Sequence, residues 1–177
     1  MENFPNLKKH LDQFKDIITS DNKPYGLHRS RDEKFFKGQK IIVARKCIEP
    51  RFSFCDFDSY VSATFNIIKT DRFNLKFLVA ILNSKVIKFW LKNKGKMQGT
   101  NFQIDNEPLL NIPIINLPSI SQTPFITIVD DILSITNKLD YNPDFPPLRQ
   151  KELEAKIDEM VCDLYQLDDE EKKLILG

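Results

Sequence analysis

The residues of this chain best suited to chemistry are cations and amides. Three basic sets stand among aromatic and small residues: His28, Arg29 and Arg31; Arg45, Lys46 and Arg51; and Lys92, Lys94 and Lys96. Cations neutralise phosphates, whereas base edges are read by two-pronged side chains such as Arg, Asn and Gln. The stretch from Lys94 to Gln103 holds both kinds. Gly95 and Gly99 permit close backbone approach, and Gln98, Asn101 and Gln103 could pair with adenine. A solvated polar turn has the same composition. Residue type and expected position give nine candidate nucleic-acid contacts: Arg29, Arg31, Arg45, Lys46, Arg51, Lys94, Lys96, Gln98 and Asn101.

Catalytic arrangements are thin by comparison. Asp32-Glu33-Lys34 has the acidic-x-Lys spacing of many metal-dependent nucleases but lacks an upstream acidic partner. Asn142-Pro143-Asp144-Phe145 resembles the Asn-Pro-Pro-aromatic grip of amino-methylating enzymes, with Asp at the third position and no glycine-rich cofactor loop before it; a helix-ending turn accounts for it. With 5 glycines in the whole chain, neither a dinucleotide fingerprint nor a Walker loop is present. Cys47, Cys55 and Cys162 form no Cys-x-x-Cys pair and share no ligand spacing with His10 or His28, so they read as reduced thiols and no metal site is expected.

The net charge of +1 conceals an asymmetry. Residues 1–100 hold 20 basic and 10 acidic side chains, while residues 101–177 hold 6 and 15. The first part suits a polyanion and the second faces something else, unless the two neutralise each other by packing together. No apolar run of about 18 residues occurs. Met1-Glu2-Asn3-Phe4-Pro5 lacks the layout of a signal peptide, so a cytoplasmic location with no membrane partner is expected.

The elements that must position these residues follow from periodicity. Leu7, Leu11, Phe14, Ile17 and Ile18 make one face of a lead-in helix over Phe4–Ile18. Lys40–Ala44, Arg51–Phe54 and Tyr60–Lys69 read as strands of a small, mostly antiparallel sheet. Leu75–Lys92 has helical period, and the polar loop Asn93–Asn101 leads to a short extended stretch at Phe102–Ile104. Pro108, Pro113, Pro118 and Pro124 favour an extended connector. A helix over Phe125–Leu139, capped by Thr123, is broken by Tyr141–Pro147, and helices complete the chain from Leu148 to Leu176. The expectation is an α+β fold: a small antiparallel sheet lobe with packed helices, then a helical C-terminal region. Residues 1–23 form the lead-in, 24–118 the recognition lobe and 119–177 the helical part.

Several strings occur in an order that resembles a known family. They are Pro24-Tyr25-Gly26-Leu27-His28-Arg29, Lys37-Gly38-Gln39-Lys40-Ile41-Ile42, Pro50-Arg51-Phe52 and Tyr60-Val61-Ser62. Leu78-Val79-Ala80-Ile81-Leu82-Asn83-Ser84-Lys85, Lys94-Gly95-Lys96-Met97-Gln98-Gly99 and Pro108-Leu109-Leu110-Asn111-Ile112-Pro113 follow. Together they resemble the TaqI-like C-terminal specificity domain of restriction enzymes fused to adenine-specific DNA methyltransferases (type IIG and related systems) and of Eco57I-like methylases. The ending, Ile157-Asp158-Glu159-Met160-Val161 with Leu164-Tyr165 and Leu167-Asp168, is similar to the tail helices of those enzymes. The resemblance implies a double-stranded DNA target-recognition module that is not catalytic by itself and holds no cofactor. It would partner methyltransferase or nuclease domains that supply S-adenosylmethionine and Mg2+ chemistry. Two alternatives remain open: a protein-interaction module docking through the acidic helices after Thr123, and a small metal-dependent nuclease built on Asp32, Glu33 and Lys34.

Overall fold

The computed structural model describes residues 2–17 and 31–177. The chain divides into two compact units, Met1–Lys34 and Phe35–Gly177. The first contains helix α1 (Pro5–Asp12), shorter than the lead-in helix expected from the apolar spacing, with Lys8 paired to Asp12 one turn on.

The second unit is α+β, as the mixed periodicities indicate. Ile41, Ile42 and Val43 suit a strand, and β1 (Lys40–Ala44) lies between β3 (Ser53–Cys55) and β4 (Phe65–Ile68), antiparallel to both. Only the end of the expected Tyr60–Lys69 strand forms. The hydroxyls of Ser62 and Thr64 meet at 2.6 Å and the Phe65 N–H donates to the Ser62 carbonyl, so a local turn captures the preceding residues. A second antiparallel sheet has the order β2 (Lys46–Cys47), β6 (Asn101–Gln103), β5 (Lys96–Gln98).

Arg45 is where the chain passes from one sheet to the other. Its N–H donates to the Thr64 carbonyl beside the first sheet at 2.8 Å, and its carbonyl accepts from the Ile104 N–H beside the second at 2.7 Å. The Asn66 amide also donates to the Ile104 carbonyl. The backbone of Arg45 is therefore held from both sides.

The expected helix over Leu75–Lys92 forms as two, α2 (Leu75–Asn83) and α3 (Lys85–Lys94). Ser84 interrupts them with extended backbone. Its hydroxyl donates to the Ile81 carbonyl at 2.7 Å and accepts from the Ile87 N–H, while the buried Asp158 carboxylate accepts from the Lys85 N–H at 2.7 Å. The apolar spacing crosses this break undisturbed because Phe77 and Ile81 before it and Val86, Ile87 and Leu91 after it all enter one core. Asn83 has a different task. Its amide accepts from the Phe52 N–H and donates to the Phe52 carbonyl, both at 2.8 Å, pairing α2 with the chain entering β3 as a strand neighbour would.

Helix α4 (Asn106–Leu110) interrupts the proline-bearing connector, and α5 (Ser119–Thr136), α6 (Leu148–Leu164) and α7 (Asp169–Leu176) follow. Helix α5 starts before the expected cap, with Thr123 and Pro124 inside it. Thr123 donates back to the Ser119 carbonyl, and Pro124 withholds one N–H from the early turns. Asp168 and Glu171 form a reciprocal capping box on α7. Phe125 of α5 meets Phe77 of α2 edge-on at 5.4 Å, and Ile128, Leu153, Ile157 and Val161 continue the same core. Full burial of a side chain such as Phe77 contributes about 1.5–3 kcal/mol. Among the described residues, no helix is long and apolar enough to cross a membrane.

Candidate nucleic-acid interface

The polar segment after α3 is a β-hairpin, where the sequence suggested a loop. Gln98 pairs with Asn101 across a two-residue turn, with Gly99 at φ +60°, a conformation that L side chains rarely adopt. Gly95 sits at the joint between α3 and β5, where a Cβ would lie 2.3 Å from the Leu91 carbonyl oxygen. Glycine there lets the hairpin leave the helix at once.

Register then sorts the side chains of the second sheet. Lys46, Gln103 and Lys96 are opposite one another across its three strands, as are Cys47, Phe102 and Met97 in the next row. Because alternate residues share a face, Phe102 is buried with Cys47 and Met97 packed against the core. Lys46, Lys96, Gln98, Asn101 and Gln103 share the other face. The same period that buries Phe102 presents two lysines and three amides together.

Beside this face is an open cleft of about 540 Å³ where the two sheets meet, lined by Arg45, Lys46, Phe65, Gln98, Gln103 and Asp105 among others. Arg45 Nη2 donates to Asp105 Oδ1 at 2.8 Å, Gln103 donates to Asp105 Oδ2 at 2.7 Å, and Lys96 Nζ is 3.9 Å from the same oxygen. Hydrogen bonding from Arg45 holds the Asp105 carboxyl below its ordinary value. Partial burial opposes this shift, while the Arg45 charge, Gln103 and Lys96 add to it.

Of the nine candidates, Arg45, Lys46, Lys96, Gln98 and Asn101 are brought to this cleft and sheet face. Lys94 is exposed at the end of α3. Arg51 lies 3.9 Å from Glu49, which also pairs with Lys88 of α3, forming a separate charged group. Arg31 is exposed in the Met1–Lys34 unit, and Arg29, with His28, lies outside the described residues. Asp105 was missed by sequence reasoning. It is an acidic residue in a stretch read for cations and amides, and only the strand pairing brings it to Arg45, 60 positions earlier.

The sparse catalytic patterns resolve locally. Asp32 pairs with Lys34 at 2.9 Å and accepts that residue's N–H. Asn142 accepts from the Asp144 N–H at 3.0 Å, closing a turn. All three cysteines are free, and burial pushes the Cys47 and Cys162 thiols up, away from the nucleophilic thiolate. Among the described residues, no group of three His, Cys, Asp or Glu side chains could hold a metal ion.

A two-sheet lobe on a helical core, with one sheet face given to cations and amides, has the form of a recognition domain. The chain belongs to the TaqI-like C-terminal specificity domain family, whose model matches residues 6–114. The match ends in the connector after α4 and leaves α5, α6 and α7 beyond it. Among curated proteins, the chain is similar to Type II methyltransferase M.HincII of Haemophilus influenzae, 25% identical over 166 residues, covering 83% of this chain and 32% of that protein. It is equally similar to Type II methyltransferase M.HindII of Haemophilus influenzae (strain ATCC 51907 / DSM 11121 / KW20 / Rd), 25% identical and covering 31% of that protein. The chain thus spans about a third of the length of these relatives.

Proposed function

We propose that this chain is the sequence-specific DNA recognition module of a type II restriction-modification enzyme, gripping duplex DNA with the outer face of β2–β6–β5 and performing no catalysis by itself. The observation that carries this reading is the convergence of Arg45, Lys46 and Lys96 with Gln98, Asn101 and Gln103 on one exposed surface. Cations hold the phosphates there, while guanidinium and amide groups meet base edges. Membership of a specificity-domain family, and likeness to two type II methyltransferases, support it. The resemblance to enzymes with adenine-specific methyltransferase domains supports adenine as the methylated base, with S-adenosylmethionine and any Mg2+ to be bound by those partner domains. Arg29, Arg31, Arg51 and Lys94 are kept as further candidate phosphate contacts.

The test is a fluorescence-anisotropy titration with a randomised duplex at several salt concentrations, comparing the chain with a Lys46→Ala/Lys96→Ala variant. Each phosphate contact contributes about 0.9 to the slope of log affinity against log salt, so the double variant should be shallower by about 2. Absence of salt-dependent binding at low salt would defeat the reading.

One observation favours an additional docking role for the helical part. Leu139, Phe145 and Leu148 stand exposed in and beside the connection between α5 and α6, three apolar side chains available for contact with other domains of the parent enzyme.

A further inference from the structure

Asp105 stands at the N-cap position of α4, where an aspartate would ordinarily accept a backbone N–H from the first turn. Its side chain makes no cap hydrogen bond. It instead receives Arg45 and Gln103 and lies beside Lys96, joining the link between β1 and β2 to both β6 and β5. A carboxylate on a surface that binds phosphates weakens the attraction to DNA, so its presence needs another explanation. The geometry offers one. Arg45 is fixed at the backbone by Thr64 and Ile104, and at its tip by a single contact through Nη2. A guanidinium held in this way retains its other N–H donors in a planar fork. Among base edges in the major groove, guanine presents the matching pair of acceptors, O6 and N7.

We propose that Asp105 is a positioning residue for base readout, holding the Arg45 guanidinium so that its remaining donors meet O6 and N7 of a guanine. The inference rests on the DNA-recognition reading above and names the base that this part of the face selects. Asp105 touches no base; it trades general affinity for direction.

The experiment is selection of duplexes from a randomised pool by the full chain, Asp105→Asn and Arg45→Lys, followed by anisotropy titration of the selected site with guanine or 7-deazaguanine at the preferred position. The wild-type chain should enrich guanine at one position and lose about tenfold or more in affinity on 7-deazaguanine. Asp105→Asn should bind random duplex at least as tightly as wild type, with a thermal midpoint close to it, while losing the guanine preference and the 7-deazaguanine penalty. Arg45→Lys should lose the same preference, because a lysine has no two-pronged fork. A merely structural aspartate would lower the midpoint and weaken selected and random duplexes alike, and that result overturns the proposal. So does an unchanged guanine preference in Asp105→Asn, which leaves DNA recognition itself intact. A wild-type chain that binds no duplex overturns both readings, and only that outcome removes the first.

Discussion

The sheets β3–β1–β4 and β2–β6–β5 are alike in strand number and antiparallel pairing, and they differ in what covers their second faces. In β1, Ile41 and Val43 are buried on one side and Lys40 is fully buried on the other, its ammonium donating to the Gly38 and Phe57 carbonyls. The first sheet is a scaffold whose central strand is buried along one face and closed at its Lys40 end on the other, where Ile42 and Ala44 are half-buried. The second buries Phe102 and leaves the opposite row of lysines and amides open. Two small sheets thus share one core, and the second gives its open face to lysines and amides. A strand with one buried face gives its alternate positions to function, whereas a strand buried on both faces gives none.

The sharpest way to break this contrast is to exchange consequences across a single strand pair. Phe102→Ala should cost about 3–5 kcal/mol by urea denaturation, as loss of a buried aromatic does. Gln98→Ala, on the exposed face, should stay within about 0.5 kcal/mol in the same measurement while altering DNA selection. Equal destabilisation by both would show that the second sheet is not one-sided.

Next in size is the tie between the first sheet's edge and the helices. Asn83→Ala strands the Phe52 N–H and carbonyl together and should cost about 1–3 kcal/mol. Asn83→Asp keeps the acceptor and loses the donor, so its urea midpoint should fall between those of the wild type and the alanine variant. Salt dependence of DNA binding should be unchanged in both, since the amide belongs to the scaffold.

A smaller effect sharpens the other side of the comparison. Gly99→Ala meets no neighbour, yet it must adopt a positive φ, a cost of about 1 kcal/mol readable as a lowered thermal midpoint. Gly99→Asn should lose less, because asparagine tolerates that region.

The smallest effect lies among the helices, at Asp158 of α6. Burial raises its carboxyl above the ordinary value of 3.8, against the Lys85 N–H and charge that lower it. With the folded-state value above the unfolded one, its contribution to stability is full below 3.8 and is lost as pH rises through the folded value. Asp158→Asn keeps an oxygen for the Lys85 N–H and carries no charge. Urea melts should therefore show its stability improving relative to wild type as pH climbs from acid to neutral. A constant difference across that range would remove the charge from the account.

Much of the scaffold was legible because burial imposes period. Leu75, Leu78, Val79, Leu82, Val86, Phe89 and Trp90 announced helix, Ile41 and Val43 announced strand, and Leu153, Ile157 and Val161 announced the last long helix; the stripe missed Phe77, Ile81, Ile87 and Leu91, which are buried deepest, and included Phe89, which is exposed. The spacing could not show the break at Ser84, since both helices feed one core, nor the turn at Ser62–Thr64, where side-chain hydrogen bonding competes with an alternating pattern. The basic and amide residues of the recognition face were visible by type. Which of them gather was not: Lys94 and Arg51 match Lys96 and Arg45 in chemistry and sit elsewhere.

By itself, then, the sequence determined the α+β class, the core stripes, the charge asymmetry and the resemblance to a specificity-domain family, because each depends on local spacing or on strings of residues. Tertiary structure alone decided that Lys46, Gln103 and Lys96 form one row, that Arg45 joins two sheets, and that Asp105 abandons its helix cap to hold Arg45. The physical reason is register. Strand pairing between segments some 60 residues apart sets which side chains face one another, and no local pattern records it.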